Sequence, residues 1–323
     1  MNPSEKSPFL FVYRLIIFLI LILLVFYGIY SLDNRTKLEI SVKTVEKKED
    51  RIVSPFTHTL GFIRWNSAFV NRIPLMERYR PFFYELHYSI PNYATKLNLT
   101  VDGLVSISFP YKMVSETMTI ILKERPEING ILFFHFDAWI NPFKFHDMNF
   151  ENIWFLDGPL PPFRCVTTTA GWDWWAWTNG LHNIAKKATE MVAKNYSNRY
   201  VTDSNVFCGG WSDIYYIPRR FFKAFIELAD IFHRADSFHE VATPTIMNII
   251  DLTYRLTPHH SVITRLGDCW GSCCASGAQP VDIKYKRCGH RMDLNNQEVT
   301  KTFLELLNSQ LVFMNKTILN KPT

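Results

Sequence analysis

Between Leu15 and Leu32 the chain (LIIFLILILLVFYGIYSL) carries no charged side chain. At ~1.5 Å rise per helical residue such a run spans a bilayer core of ~30 Å. The apolar core of a cleaved signal peptide is shorter, ~7–15 residues, and ends on small residues. Here the exit reads Tyr-Gly-Ile-Tyr-Ser-Leu-Asp. The pattern predicts an uncleaved transmembrane signal-anchor over 15–32, behind a short cytoplasmic tail over 1–14 whose Arg14 snorkels to the headgroups. Residues 33–54 (DNRTKLEISVKTVEKKEDRIVS) are charge-rich and read as a stem. Residues 55–323 are long enough for one large domain with a substantial core.

Within that domain two periods alternate. Pro81 to Ile90 (PFFYELHYSI) has the aromatic and β-branched character of a buried strand stopped by Pro91. Tyr111 to Lys123, Asn179 to Ala193, Thr245 to Tyr254 and Gln297 to Val312 read as helices. Arg219 to His233 is an amphipathic helix with Phe222, Phe225, Ile226 and Ala229 on one face. Gly130 to Trp139 (GILFFHFDAW) is a nearly continuous apolar run, the pattern of a central strand covered on both faces. Strands alternating with helices predict α/β layers around a largely parallel sheet.

Composition narrows the class. Aromatic residues make up 15% of the chain, which favours a packed globule with aromatic-lined clefts over disorder. The net charge of +5 is mild and scattered. It gives no support to nucleic-acid binding and suits an anionic substrate such as a nucleotide diphosphate. Lysine and arginine flank the apolar run evenly (Lys6 and Arg14 before, Arg35 and Lys37 after), so the positive-inside rule does not orient it. Two other signals do. Asn34, Asn98, Asn195 and Asn315 head N-x-Ser/Thr triplets, glycosylation acceptors only in a lumenal chain. All 6 cysteines lie between Cys165 and Cys288 and suit an oxidising lumen. The expected arrangement is a single-pass type II protein of the Golgi or ER membrane. Cys269, Cys273, Cys274 and Cys288 with His290 also form a candidate zinc cluster, but they lack a CxxC pair and a lumenal chain prefers disulfides.

Three blocks carry candidate chemistry. Asp137 closes the apolar run, with His135 two residues before it, and ligands of open α/β sheets bind at the carboxyl ends of strands. A carboxylate there can hold a divalent cation or simply cap the following turn. Gly209-Gly210-Trp211-Ser212-Asp213 offers a close backbone approach followed by an acid; the plainer reading is a turn. Glu240, just before a helix that Pro244 would start, is placed either to act as a general base or to favour a helix N-terminus.

In this order the blocks resemble the GT-A glycosyltransferases, over roughly residues 74–293. The resemblance implies a Rossmann-like α/β/α domain that moves a sugar from a nucleotide sugar to a hydroxyl of a glycan, glycoprotein or glycolipid acceptor. It implies Mn²⁺ or Mg²⁺ on the diphosphate, although Phe134-His135-Phe136-Asp137 holds one acid where the family has Asp-x-Asp. Asp137 and His290 are then the metal ligands. His135, Arg287 and Arg291 join Asp137 at the donor diphosphate. Glu240 is the base of an inverting reaction and Asp213 orients the acceptor sugar, with Gly210, Trp211 and Trp172 as acceptor contacts. The blocks DCWGSCC and RCGHRMD further resemble type II membrane proteins of fungi. Two other classes compete. One is an inactive relative that binds glycan or scaffolds other enzymes, favoured by the single acid. The other is a metal-dependent hydrolase using Asp137, His239 and His290.

Overall fold

The computed structural model describes residues 54–64, 72–90, 109–156, 163–170, 179–271 and 277–319, all within one compact unit spanning Arg51–Thr323. The tail, the anchor and all of the stem but Ser54 lie outside these residues. Among the described residues no helix is long and apolar enough to cross a membrane.

The centre is a mixed sheet of β1 (Thr59–Arg64), β2 (Glu85–Ser89), β3 (Gly130–His135), β5 (Ile153–Leu156), β8 (Ile214–Pro218) and β9 (Ile263–Leu266), in the order β2-β1-β3-β8-β5-β9. β8 runs antiparallel to both its neighbours, β3 and β5; β1 is parallel to β2 and β3, and β5 to β9. The expected α/β class with a largely parallel sheet is present.

Strand alternation divides the core. Leu60, Phe62, Ile131, Phe133, Tyr215 and Ile217 bury one face against α1 (Pro110–Glu124), α2 (Leu181–Tyr196), α3 (Phe222–Arg234) and α4 (His239–Tyr254). Ile63, Leu132, Phe134, Ile214 and Tyr216 bury the other against the 73–83 segment, α5 (Pro280–Tyr285) and α6 (Gln297–Leu319). Continuous apolar runs are what such two-sided burial demands. In α3 the anticipated stripe is real: Phe222, Phe225 and Ala229 are fully buried, and Ile226 packs partly buried against the same core.

Three segments depart from the sequence pattern. Pro81 and Phe82 close a 3₁₀ turn (Glu77–Phe82), so the strand begins only at Glu85. The run from Gly130 to Trp139 is two strands: β3 ends at His135, and β4 (Ala138–Ile140) joins β10 (Cys269–Trp270) and β11 (Cys288–His290) in a second sheet, order β10-β11-β4. α4 starts at His239, with Pro244 inside it. A proline in the first turns of a helix removes only one intrahelical bond, the one to the carbonyl four residues earlier.

Two disulfides pair Cys165 with Cys208 and Cys269 with Cys288. They tie β6 (Arg164–Val166) to β7 (Phe207–Gly209) and β10 to β11, each between residues directly opposite in the ladder. Cys273 and Cys274 lie outside the described residues. The Cys269–Cys288 bridge closes a short loop, with a sequence separation of 19. Loop closure of that size is worth about 3 kcal/mol. Cys269→Ser with Cys288→Ser is therefore expected to lower the urea midpoint by that equivalent and to loosen the strand that carries His290.

Candidate metal and catalytic site

The break between β3 and β4 creates the site. Phe136 and Asp137 form the turn between the two sheets. β4 pairs antiparallel with β11 in the register Ala138↔His290, which returns a residue from far along the chain to the side of Asp137. A Cβ on Gly289 would overlap the Trp139 ring, so only glycine lets the two strands approach here. His290 Nε2 lies 3.1 Å from Asp137 Oδ1. The ring of His135 stands nearly perpendicular to that of His290, centroids 5.2 Å apart. His135, Asp137 and His290 each offer one ligand atom, and these lie within 4.8 Å of one another.

On the helix-covered side of β3 the site has a buried floor. β8 is antiparallel to β3, so its entry lies beside the exit of β3, and the His135 N–H donates to the Asp213 carbonyl at 3.2 Å. Asp213 shares the strand parity of Tyr215 and Ile217 and therefore faces the same layer as His135. Its carboxylate lies 3.6 Å from His135 Nδ1 and 3.5 Å from His290 Nδ1. Those distances are attractive but longer than a closed hydrogen bond.

Glu240 and His239 enter this floor from the start of α4. Pro244 has no N–H for the carbonyl of Glu240, and that carbonyl accepts the Gly210 N–H at 3.2 Å instead. Ser212 Oγ donates to the His239 carbonyl at 3.3 Å. The helix start and the Gly209–Asp213 loop are thereby fixed to one another.

Burial sets the charges. Desolvation, reinforced by Asp213, pushes the Glu240 carboxyl up to about 9. Desolvation, reinforced by His135, takes His239 down to about 3 and keeps it neutral. His135 is also lowered, with burial outweighing the attraction of Asp213. Burial alone would lower His290, but the charge of Asp213 and the Asp137 hydrogen bond outweigh it and raise the imidazole. Burial alone would raise Asp137; its bond to His290 outweighs this and holds the carboxyl below its ordinary value. Two imidazoles and one carboxylate, mutually close and partly open at Asp137 and His135 (side chains 18% and 13% exposed), form a donor set that fits a divalent transition metal.

No protein-family model and no curated protein matches the chain.

The remaining candidates separate. Arg291, exposed and next to His290, acts electrostatically on that ring and stays available to an anion. Arg287 is held 2.9 Å from Asp147 and packs over Phe145, a structural pairing rather than a site contact. Gly210 is buried where a Cβ would press on Phe155 and Phe163, and Trp211 is 5% exposed, so neither presents a face for sugar. Asn195 is exposed on the last turn of α2. Trp172, Asn34 and Asn98 lie outside the described residues, as does the side chain of Asn315 in α6. One residue of the floor escaped the sequence reading. Arg64, the buried last residue of β1, sits in register with His135, donates from Nη1 to Ser89 Oγ at 3.0 Å, and lowers both His135 and His239. Its signal was present: an arginine ending an apolar strand at the same sheet edge as Asp137.

Proposed function

We propose that this chain is a metal-dependent glycosyltransferase of GT-A type, moving a sugar from a nucleotide sugar to a hydroxyl acceptor. The observation that carries the reading is the His135–Asp137–His290 group at the carboxyl end of a central strand of an open α/β sheet. A cation held there supplies positive charge to a departing diphosphate. Arg291 adds a second positive charge at the same edge. Glu240 takes the acceptor proton once it is ionised, and Arg64 and Asp213 hold the floor beneath. The two disulfides suit the oxidising lumen of the Golgi or ER, behind a type II anchor.

The donor set also selects among metals. Mg²⁺ favours oxygen ligands and holds its water tightly, whereas two imidazoles suit Zn²⁺, Fe²⁺ and Ni²⁺ better than Mn²⁺ or Mg²⁺. Purified full-length protein is therefore expected to hydrolyse or transfer from one of a panel of UDP- and GDP-sugars with a divalent transition ion such as Mn²⁺, with less turnover in Mg²⁺ and none in EDTA. Nucleotide-sugar binding without turnover in any metal would favour the second reading, an inactive glycan-binding or scaffold relative. The burial of Glu240 beside Asp213, which favours its neutral form, is the observation that favours it.

A further inference from the structure

We propose that Asp213 positions both histidine ligands at once and does not touch the acceptor. The inference rests on the metal-centre reading of His135, Asp137 and His290. The two oxygens of Asp213 divide between the rings: Oδ1 faces Nδ1 of His135 at 3.6 Å and Oδ2 faces Nδ1 of His290 at 3.5 Å. Asp213 is 2% exposed and both of its oxygens face imidazoles, which leaves neither turned to an acceptor. Asp213 Oδ2 and His290 Nδ1 are both buried and neither makes a hydrogen bond, which leaves each as the partner the other has at hand. A carboxylate only accepts, so it selects the tautomer with the proton on Nδ1 and leaves Nε2 as the metal-facing nitrogen. His290 Nε2 then faces Asp137 Oδ1 at 3.1 Å, and the His135 ring stands nearly perpendicular beside it. Partners behind metal-bound histidines fix ring orientation in this way, and their loss typically costs 10–100-fold in metal affinity. Backbone geometry makes the arrangement rigid, because the Asp213 carbonyl is bonded to the N–H of His135 itself.

Asp213→Asn separates positioning from bulk. The asparagine is the same size, but its amide offers one acceptor and one donor. One histidine keeps its Nδ1–H; the other meets an N–H and adopts the tautomer that withdraws its Nε2. With the full-length chain, calorimetric titration with Co²⁺ is expected to show a 10–100-fold weaker site in Asp213→Asn. The visible Co²⁺ absorption is expected to change as one nitrogen ligand is lost. Equal affinity and an unchanged spectrum would overturn the proposal. Absence of Co²⁺ binding by the unaltered chain would instead remove the metal reading on which it rests. Should Asp213→Asn not fold, long-range ¹H–¹⁵N spectra of the unaltered Zn²⁺-loaded protein decide. Nε2 ligation by both histidines, with Nδ1 protonated, supports the assignment; Nδ1 ligation by either one refutes it.

Discussion

Asp137→Ala is expected to abolish metal binding and donor turnover together while leaving the protein folded. Asp137 is the one carboxylate in the three-residue group, and without it two imidazoles remain. Removal of a direct ligand costs more than loss of a supporting partner, so Mn²⁺ affinity should fall by well over about 100-fold. The fold should tolerate the change. The Asp137 carbonyl, which accepts the Met292 N–H at 2.6 Å, is untouched, and the side chain is already part-exposed. What is lost in the metal-free protein is one charge-assisted hydrogen bond to His290, worth about 1.5–3 kcal/mol. His290→Ala should lose the metal equally and cost more stability, because it also opens a cavity and leaves the buried Asp213 without the ring that faces it. Calorimetry with Mn²⁺ and thermal unfolding without it test both. Full Mn²⁺ affinity in Asp137→Ala would dismiss this group as the metal centre.

How far the sequence foretold this site varies by residue, and the reasons are physical. Asp137 was legible because a doubly covered strand leaves an uninterrupted apolar run, and an acid at its end breaks the pattern. What the run could not reveal was its own interruption. β4 leaves the central sheet because it pairs with β11, and a contact between residues 138 and 290 has no local signature. His290 was accordingly paired with Asp137 only through the resemblance to GT-A enzymes and the competing hydrolase reading; its sequence neighbours set it beside the cysteines. Asp213 was recognised as an acid after the two glycines, but not as facing His135 and His290. Its burial follows from β8 running antiparallel beside β3, a relation between strands that neither strand's composition encodes. Arg287 illustrates the same limit: its engagement with Asp147 and Phe145 is a long-range relation that its place beside His290 in the sequence does not encode. Pro244 read as a helix start, the usual meaning of proline in such a context. Its actual use, freeing the Glu240 carbonyl for Gly210, depends on a loop that only the tertiary structure brings alongside.

Glu240→Gln is expected to make the protein more stable and less active, with both effects dependent on pH. Burial first, and Asp213 second, raise the folded-state value from 4.5 to about 9. Between those values the unfolded chain releases the proton and the folded chain keeps it. The stability associated with the neutral carboxyl is therefore complete below about pH 4.5 and drains away as pH rises toward 9. At pH 7 the loss amounts to about 3 kcal/mol, at 1.36 kcal/mol per unit. Glutamine has nearly the shape of the protonated acid and ionises in neither state. The variant should match the unaltered protein at pH 4.5 and exceed it increasingly up to pH 9 in urea unfolding across that range. Coincident curves at every pH would show that Glu240 is not held neutral. Turnover should move the other way. A base must be ionised to act, so under the proposed function the rate of the unaltered protein should climb with pH through the neutral range, and a cation bound near Asp213 would shift that climb to lower pH without reversing it. Glutamine should remove the pH dependence and about 10²–10⁴-fold of the rate. A residue that costs stability in the folded protein and is needed for turnover is the pattern of a catalytic group kept against the interest of the fold. Stability gained with turnover retained would leave Glu240 as a buried acid without a catalytic role, and the acceptor proton would have to leave through another group at the same sheet edge.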